Sequence, residues 1–210
     1  TGPSDALGSF DRRAAQVDGG FDMGSTMRSQ GFRAATNQSL KNIIVHINED
    51  TNHASASKVV DCLEDLVDML INDDDLLKQD PNDLAEVITA ITKTLQNQRD
   101  HEHILTLAFA ALSSIALTEL DEQELPAETI QAVVDAMYRH PNCPTLQAEG
   151  CFSLFNLATC SSFNTTPIIA ADGIGAVVSA MQRHSDQPTV QRNGCYALGN
   201  FASNHTANTT

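Results

Sequence analysis

The chain of 210 residues has no tryptophan, only two tyrosines and eight phenylalanines, and twelve basic residues against twenty-seven acidic ones. With so few aromatics, the apolar stretches are built mainly from small aliphatic side chains. These suit close helix-on-helix contact better than a sheet, which favours β-branched and aromatic residues. No run approaches the roughly 18 consecutive apolar residues that a membrane-spanning helix needs, and no signal peptide stands at the start. The five cysteines, Cys62, Cys143, Cys151, Cys160 and Cys195, form no CxxC pair, and their odd number argues against a closed disulfide framework. Free thiols in a reducing compartment are therefore expected, with a cytoplasmic or nuclear setting and no membrane. A chain that opens on Thr1 reads as an excised piece of a longer protein. The sequons at Asn37, Asn164, Asn204 and Asn208 read as chance in a sequence rich in Asn and Thr.

Glycine is missing from the whole stretch between Phe32 and Glu149, whereas six of the eleven glycines fall in the first 38 residues. The first 38 residues, short of long apolar side chains and of any helical period, read as a disordered leader. From there on, apolar residues recur at spacings of three and four, as in Val59, Val60, Leu63, Leu66, Val67 and Leu70. This pattern predicts helix after helix.

Charge is placed unevenly. Residues 1–40 hold four acids and four bases, residues 41–128 nineteen and five, and residues 129–210 four and three, which together give the net charge of −15. A negative field over the middle segment repels nucleic-acid phosphates and anionic membranes and favours a basic partner. The alternative reading is an ordinary solvated acidic surface that keeps the array soluble.

The sequence repeats itself. Ala132-Val-Val-Asp-Ala-Met-Tyr-Arg-His140 returns as Ala176-Val-Val-Ser-Ala-Met-Gln-Arg-His184, and Gln147, Gly150, Cys151, Leu154, Asn156 and Ala158 return as Gln191, Gly194, Cys195, Leu198, Asn200 and Ala202, always 44 residues apart. Such a period redefines the fold as a stack of units. Weaker copies extend it backward: Phe109, Leu112, Ile115 and Ala116 precede Cys151, Leu154, Leu157 and Ala158 by 42 residues, and Val59, Leu63, Leu66 and Met69 precede Leu105, Phe109, Leu112 and Ile115 by 46. The units fall near 40–78, 79–121, 125–163 and 164–204.

Within the last unit, Asn164 to Asp172 reads as a short first helix, Gly173-Ile174 starts a second that ends near His184, and Pro188 opens a longer third through Leu198-Gly-Asn-Phe-Ala202. This resembles the armadillo repeat in helix number, in the Gly-Ile and in the closing Leu-x-Asn-Phe-Ala. The likeness is clear over 125–204 and degenerate over 40–121. It implies an all-α, right-handed α-solenoid of four three-helix units, and the ending His205 to Thr210 reads as the start of another first helix, so that the array continues past 210.

On the third helix, Val190, Gly194, Cys195, Leu198, Phe201 and Ala202 share one side and are expected in the core, with Cys151 and Cys195 as equivalent buried thiols. The other side carries Arg192, Tyr196, Asn200 and Ser203, matched in the preceding unit by Ala148, Phe152 and Asn156. In the armadillo family, aromatic and asparagine positions like these line a groove for an extended peptide. The resemblance thus implies a groove formed by Phe152, Asn156, Arg192, Tyr196 and Asn200. Its amides would pair with a peptide backbone and its rings would hold the stems of basic side chains. The ladder departs from the family pattern in having Phe and Tyr rungs, and it stops at Ala110 and Ser114. The alternative role of Asn156 and Asn200 is structural, bridging neighbouring helices.

Nothing points to catalysis. His101-Glu-His103 places two imidazoles on different sides of a helix and makes a poor metal pair. His140 and His184, each after an Arg at the end of a second helix, suit the last carbonyls there. Asp73 to Asp75 and Asp80 to Asp83 lack the glycine and terminal glutamate of a calcium loop and read as a polar loop and cap before a helix near Leu84. No cofactor, metal or catalytic set is expected. The function implied is a scaffold or adaptor binding an extended protein segment, or else a purely architectural or regulatory arm of a larger protein.

Overall fold

The computed structural model describes residues 38–48, 56–72, 76–78, 81–117 and 124–207. The leader expected over 1–38 lies outside them except for residue 38, as do Asp73 to Asp75, Asp80, and the sequons at Asn37 and Asn208. The chain divides after Ala35, and the described residues belong to the second unit, Thr36–Thr210. Among the described residues every regular element is helical: α1 (38–48), α2 (Ala56–Asn72), α3 (Pro81–Asn97), α4 (Glu102–Leu117), α5 (Ala127–Arg139), α6 (Pro144–Cys160), α7 (Thr165–Ala170), α8 (Gly173–Arg183) and α9 (Pro188–Ala207). Short 3-10 turns occupy Leu76–Lys78 and Ser162–Asn164.

These helices form two layers, and their composition follows from their place in them. In one layer α2, α4, α6 and α9 pack side by side in chain order; in the other, α3 touches α5 and α5 touches α8. The α1 helix lies beside α3, with Lys41 Nζ 3.6 Å from Asp83 Oδ1 and Lys93 Nζ donating to Asn48 Oδ1 at 3.2 Å. An internal helix of the first layer has neighbours on several sides. Accordingly α4 buries Ile104, Leu105, Ala108, Phe109, Ala111, Leu112 and Ile115, which leaves little polar face. Helix α2, at the end of the row, buries only the stripe Val59, Leu63, Leu66 and Leu70.

Sequence sets where these helices begin and how closely they approach. Prolines open α3, α6 and α9, at the first helical position where the missing N–H costs nothing. Gly150 lets α6 lie against α5, since a Cβ there would come within 2.7 Å of Met137 Cγ; at Gly194, 44 residues on, it would come within 2.5 Å of Met181 Cγ. The repeat read in the sequence is thus a repeat of contacts. Between units, Ser153 Oγ donates to the Phe109 carbonyl at 2.7 Å, leaving Ser113 Oγ to donate to Ser153 Oγ at 2.8 Å. Asn193 Nδ2 donates to the Ala148 carbonyl at 2.9 Å.

The last unit has the three helices expected, α7, α8 and α9. The break between α7 and α8 falls on Asp172, which takes the left-handed conformation at φ 63°, and α8 starts at Gly173. Tyr138 Oη donates to Asp172 Oδ2 at 2.6 Å and braces that turn from α5. The earlier units show two long helices each among the described residues, and residues 124–126 pass without helix into α5. Two expectations are corrected. Helix α9 runs on through Ala207, so His205 does not start a new helix, because no Gly or Pro interrupts the chain there. Cys195 is exposed while Cys151 is buried, and Ala202 is exposed while Leu198 is only half-buried, because no further described helix packs on that side of α9 as α9 packs on α6.

This difference gives a direct test. Burial pushes the Cys151 thiol from 9.0 up to about 12. A thiol-specific reagent at neutral pH is expected to label Cys195 quickly and Cys151 only on unfolding, read by mass spectrometry of peptides. Because burial raises the folded-state pKa of this acid, its contribution to stability is complete below pH 9 and is lost as pH climbs towards 12.

Candidate functional site

Helices α6 and α9 carry the residues of the expected groove. On α6, Glu149, Phe152, Ser153 and Asn156 recur at spacings of three and four and share one side. Phe152 is half-buried, and its ring centroid is 6.3 Å from that of Phe155. Phe155 in turn lies 5.7 Å from Tyr196 of α9, which is exposed. Both pairs are within the range of favourable ring contact. The two aromatic rungs expected at Phe152 and Tyr196 are therefore not separate walls with a gap between them; Phe155 fills the space and makes one continuous aromatic strip. Sequence reading passed over Phe155, although its place three residues after Phe152 was the available signal.

The two asparagines are not equivalent. Asn200 Nδ2 donates to Thr159 Oγ1 at 2.6 Å and to the Phe155 carbonyl at 3.3 Å, tying α9 to α6. Asn156 is 1% exposed, and among the described residues its Nδ2 has no hydrogen-bond partner. Such an orphaned donor is uncommon in a folded interior and costs about 1–3 kcal/mol. Arg192 is exposed, its Nε 3.4 Å from Asn193 Oδ1. Ala110 and Ser114, where the aromatic ladder stops, are half-buried. Glu149 is half-buried on the same side as Phe152, and burial alone raises its carboxyl pKa. A desolvated carboxylate beside aromatic rings is a place where a cation is welcome.

Other residues singled out earlier find structural places. His140 Nε2 donates to the Arg99 carbonyl at 2.6 Å, and His184 Nε2 to the Pro141 carbonyl at 2.9 Å, so each imidazole reaches the preceding unit instead of its own helix end. The carbonyls at the ends of the second helices are taken by glutamines. Gln147 Nε2 donates to Met137 and His140, and Gln191 Nε2 to Met181 and His184, in matching geometry. The 44-residue recurrence of Gln was visible in the sequence, but its role was not. His101 and His103 are exposed at the start of α4, with His103 Nε2 3.8 Å from Glu64. Among the described residues no cluster of His, Cys, Asp or Glu is placed to hold a metal, and no helix is long and apolar enough to cross a membrane.

No family model matches the chain, and neither curated proteins nor solved structures offer a significant match.

Proposed function

We propose that the chain is an armadillo-like array that holds an extended, basic segment of another protein on the face formed by α6 and α9. The observation that carries this reading is the orphaned Asn156 amide on the side of α6 that also bears Glu149 and Phe152, beside the aromatic strip that runs through Phe155 to Tyr196 of α9. A buried donor that the described residues leave unpaired, at a cost in stability, is open to a partner's carbonyl once the side chain turns outward. The rings offer a bed for the stems of Lys or Arg, and Glu149 offers them a counter-charge. No cofactor, nucleic acid or catalytic step enters this reading.

Asn200 favours a second reading, in which the array is an architectural arm. The amide of Asn200 is spent on α6, and Asn156 would be its imperfect copy. Binding of extended Lys- and Arg-containing peptides, followed by fluorescence anisotropy beside thermal unfolding, separates the two. Tyr196→Ala is expected to weaken binding about tenfold, the scale of a ring that acts as an anchor. Asn156→Leu is expected to raise the melting temperature, because the orphaned donor is gone, while lowering affinity. A more stable Asn156→Leu protein with undiminished affinity would leave only the architectural reading.

A further inference from the structure

In the second layer α1, α3, α5 and α8 meet at successive joints, and the repeat lets one joint be compared with the next. Residues 87–91 match 133–137 at an offset of 46, so Thr92 of α3 corresponds to Tyr138 of α5, and Asp83 to Thr129. Where α3 meets α5, Thr92 Oγ1 lies 2.8 Å from the buried Thr129 Oγ1 in a hydrogen bond. Where α5 meets α8, Tyr138 Oη donates to Asp172 Oδ2 at 2.6 Å. Gly175 leaves room for that hydroxyl, since a Cβ there would come within 2.7 Å of it. At both joints a hydroxyl of the earlier helix meets a polar group at the head of the later one.

The joint between α1 and α3 has the polar group without the hydroxyl. Asp83, in the first turn of α3, is 2% exposed. Its Oδ1 forms an ion pair of 3.6 Å with Lys41 Nζ, longer than a hydrogen bond, and among the described residues its Oδ2 has no hydrogen-bond partner. A buried carboxylate oxygen without a donor is costly, so it is a place where a donor is welcome. Asp83 lines a cleft of about 690 Å³ between α1 and α3, inside the range of roughly 300–1,000 Å³ usual for small-ligand sites. From α1 the cleft receives Val45, 49% exposed, whose side chain has no donor to offer. Lys41 and Lys93 are balanced in the lining by Asp83 and Glu86, so the cleft favours an occupant without charge.

We infer that this cleft binds a phenol, the side chain of a tyrosine on a partner protein, with its ring on Val45 and Ala85 and its hydroxyl donating to Asp83 Oδ2. The partner supplies at this joint what Tyr138 supplies between α5 and α8. A ring with one neutral donor at its tip matches an apolar wall with one unpaired acceptor at its end. An ammonium or guanidinium in the same place is repelled by Lys41 and Lys93. Ala85 matches Gly175 and carries the Cβ that Gly175 lacks, so the hydroxyl has its room at Asp83 and not at Asn82, which matches Asp172.

NMR chemical shifts of the whole chain, titrated with N-acetyl-tyrosinamide, test this. Shifts are expected at Val45, Ala85 and Thr89, saturating in the millimolar range, and N-acetyl-phenylalaninamide, which lacks the hydroxyl, is expected to bind roughly tenfold more weakly. Asp83→Leu is expected to erase that difference between the two probes. Ala85→Leu fills the cleft from an exposed position, so lost binding is expected beside an unchanged circular dichroism spectrum, which keeps the test open even where Asp83→Leu fails to fold. Equal binding of the two probes to the wild-type chain, tighter binding of N-acetyl-lysinamide, or no shift in the cleft up to the solubility limit of the probe would each overturn the inference. No residue of the cleft lies on α6 or α9, so this inference and the proposed peptide face fail separately.

Discussion

Replacing Phe109 by alanine is expected to destabilise the protein by about 3–5 kcal/mol. Phe109 is 0% exposed at the centre of α4, the helix that packs on α2 on one side and α6 on the other. Its ring reaches the point where a Cβ on Gly150 would lie 3.2 Å from Cε2, so it fills the space that glycine leaves between units. Its carbonyl also receives the Ser153 hydroxyl. Truncation therefore opens a cavity where two units meet, and neither can collapse into it without moving the other. Against a typical total stability of about 5–15 kcal/mol, such a loss is large. For a chain of this length it should lower the melting temperature by roughly 10 °C. Because α4 packs chiefly on α2 and α6, hydrogen exchange should quicken first over 79–163 and last in α8 and α9. A fall in stability of less than about 1 kcal/mol would show that Phe109 is not the keystone described.

Where sequence reading succeeded, the physical signal was redundant. Gly150 and Gly194 recur because Met137 and Met181 recur above them, and the offset of 44 residues records both partners of each contact. Helix α4 is apolar around most of its circumference because it has neighbours around most of it. Where reading went astray, the signal lay in a surface that no single helix encodes. Cys195, Leu198 and Ala202 carry the same pattern as Cys151, Leu154 and Ala158, yet only the second set is fully buried. Hydrophobic periodicity states what a face wants and not whether a partner is there. The side of α9 that meets α6 is marked by Asn193, Ala197 and Asn200, too small or too polar to register as apolar, so it was placed a quarter-turn away. Phe155 was overlooked for a related reason: matching rungs by their 44-residue offset pairs Phe152 with Tyr196 and hides the ring between them.

Asn164 was passed over most completely, as a chance glycosylation sequon, and its replacement by alanine is expected to cost roughly 2–4 kcal/mol. The residue is 0% exposed, closed to modification, in the 3-10 turn that precedes α7. Its Oδ1 accepts from the Leu125 N–H at 2.9 Å and its Nδ2 donates to the Leu157 carbonyl at 3.0 Å. One amide thus ties the entry to α5, the end of α6 and the turn into α7. Alanine leaves the Leu125 N–H and the Leu157 carbonyl without this partner. Asn164→Asp separates the two bonds, because an ionised carboxylate can still accept from Leu125 but cannot donate to Leu157. Burial and the repelling carbonyl raise the pKa of such a carboxyl in the folded state, so its penalty is greatest at neutral pH and shrinks as pH falls and the proton restores a donor. Urea titrations at neutral and acid pH should show Asn164→Asp regaining stability relative to wild type on acidification, and Asn164→Ala regaining none. Equal pH dependence in both variants would mean that the Leu157 bond contributes nothing and that Asn164 only caps Leu125.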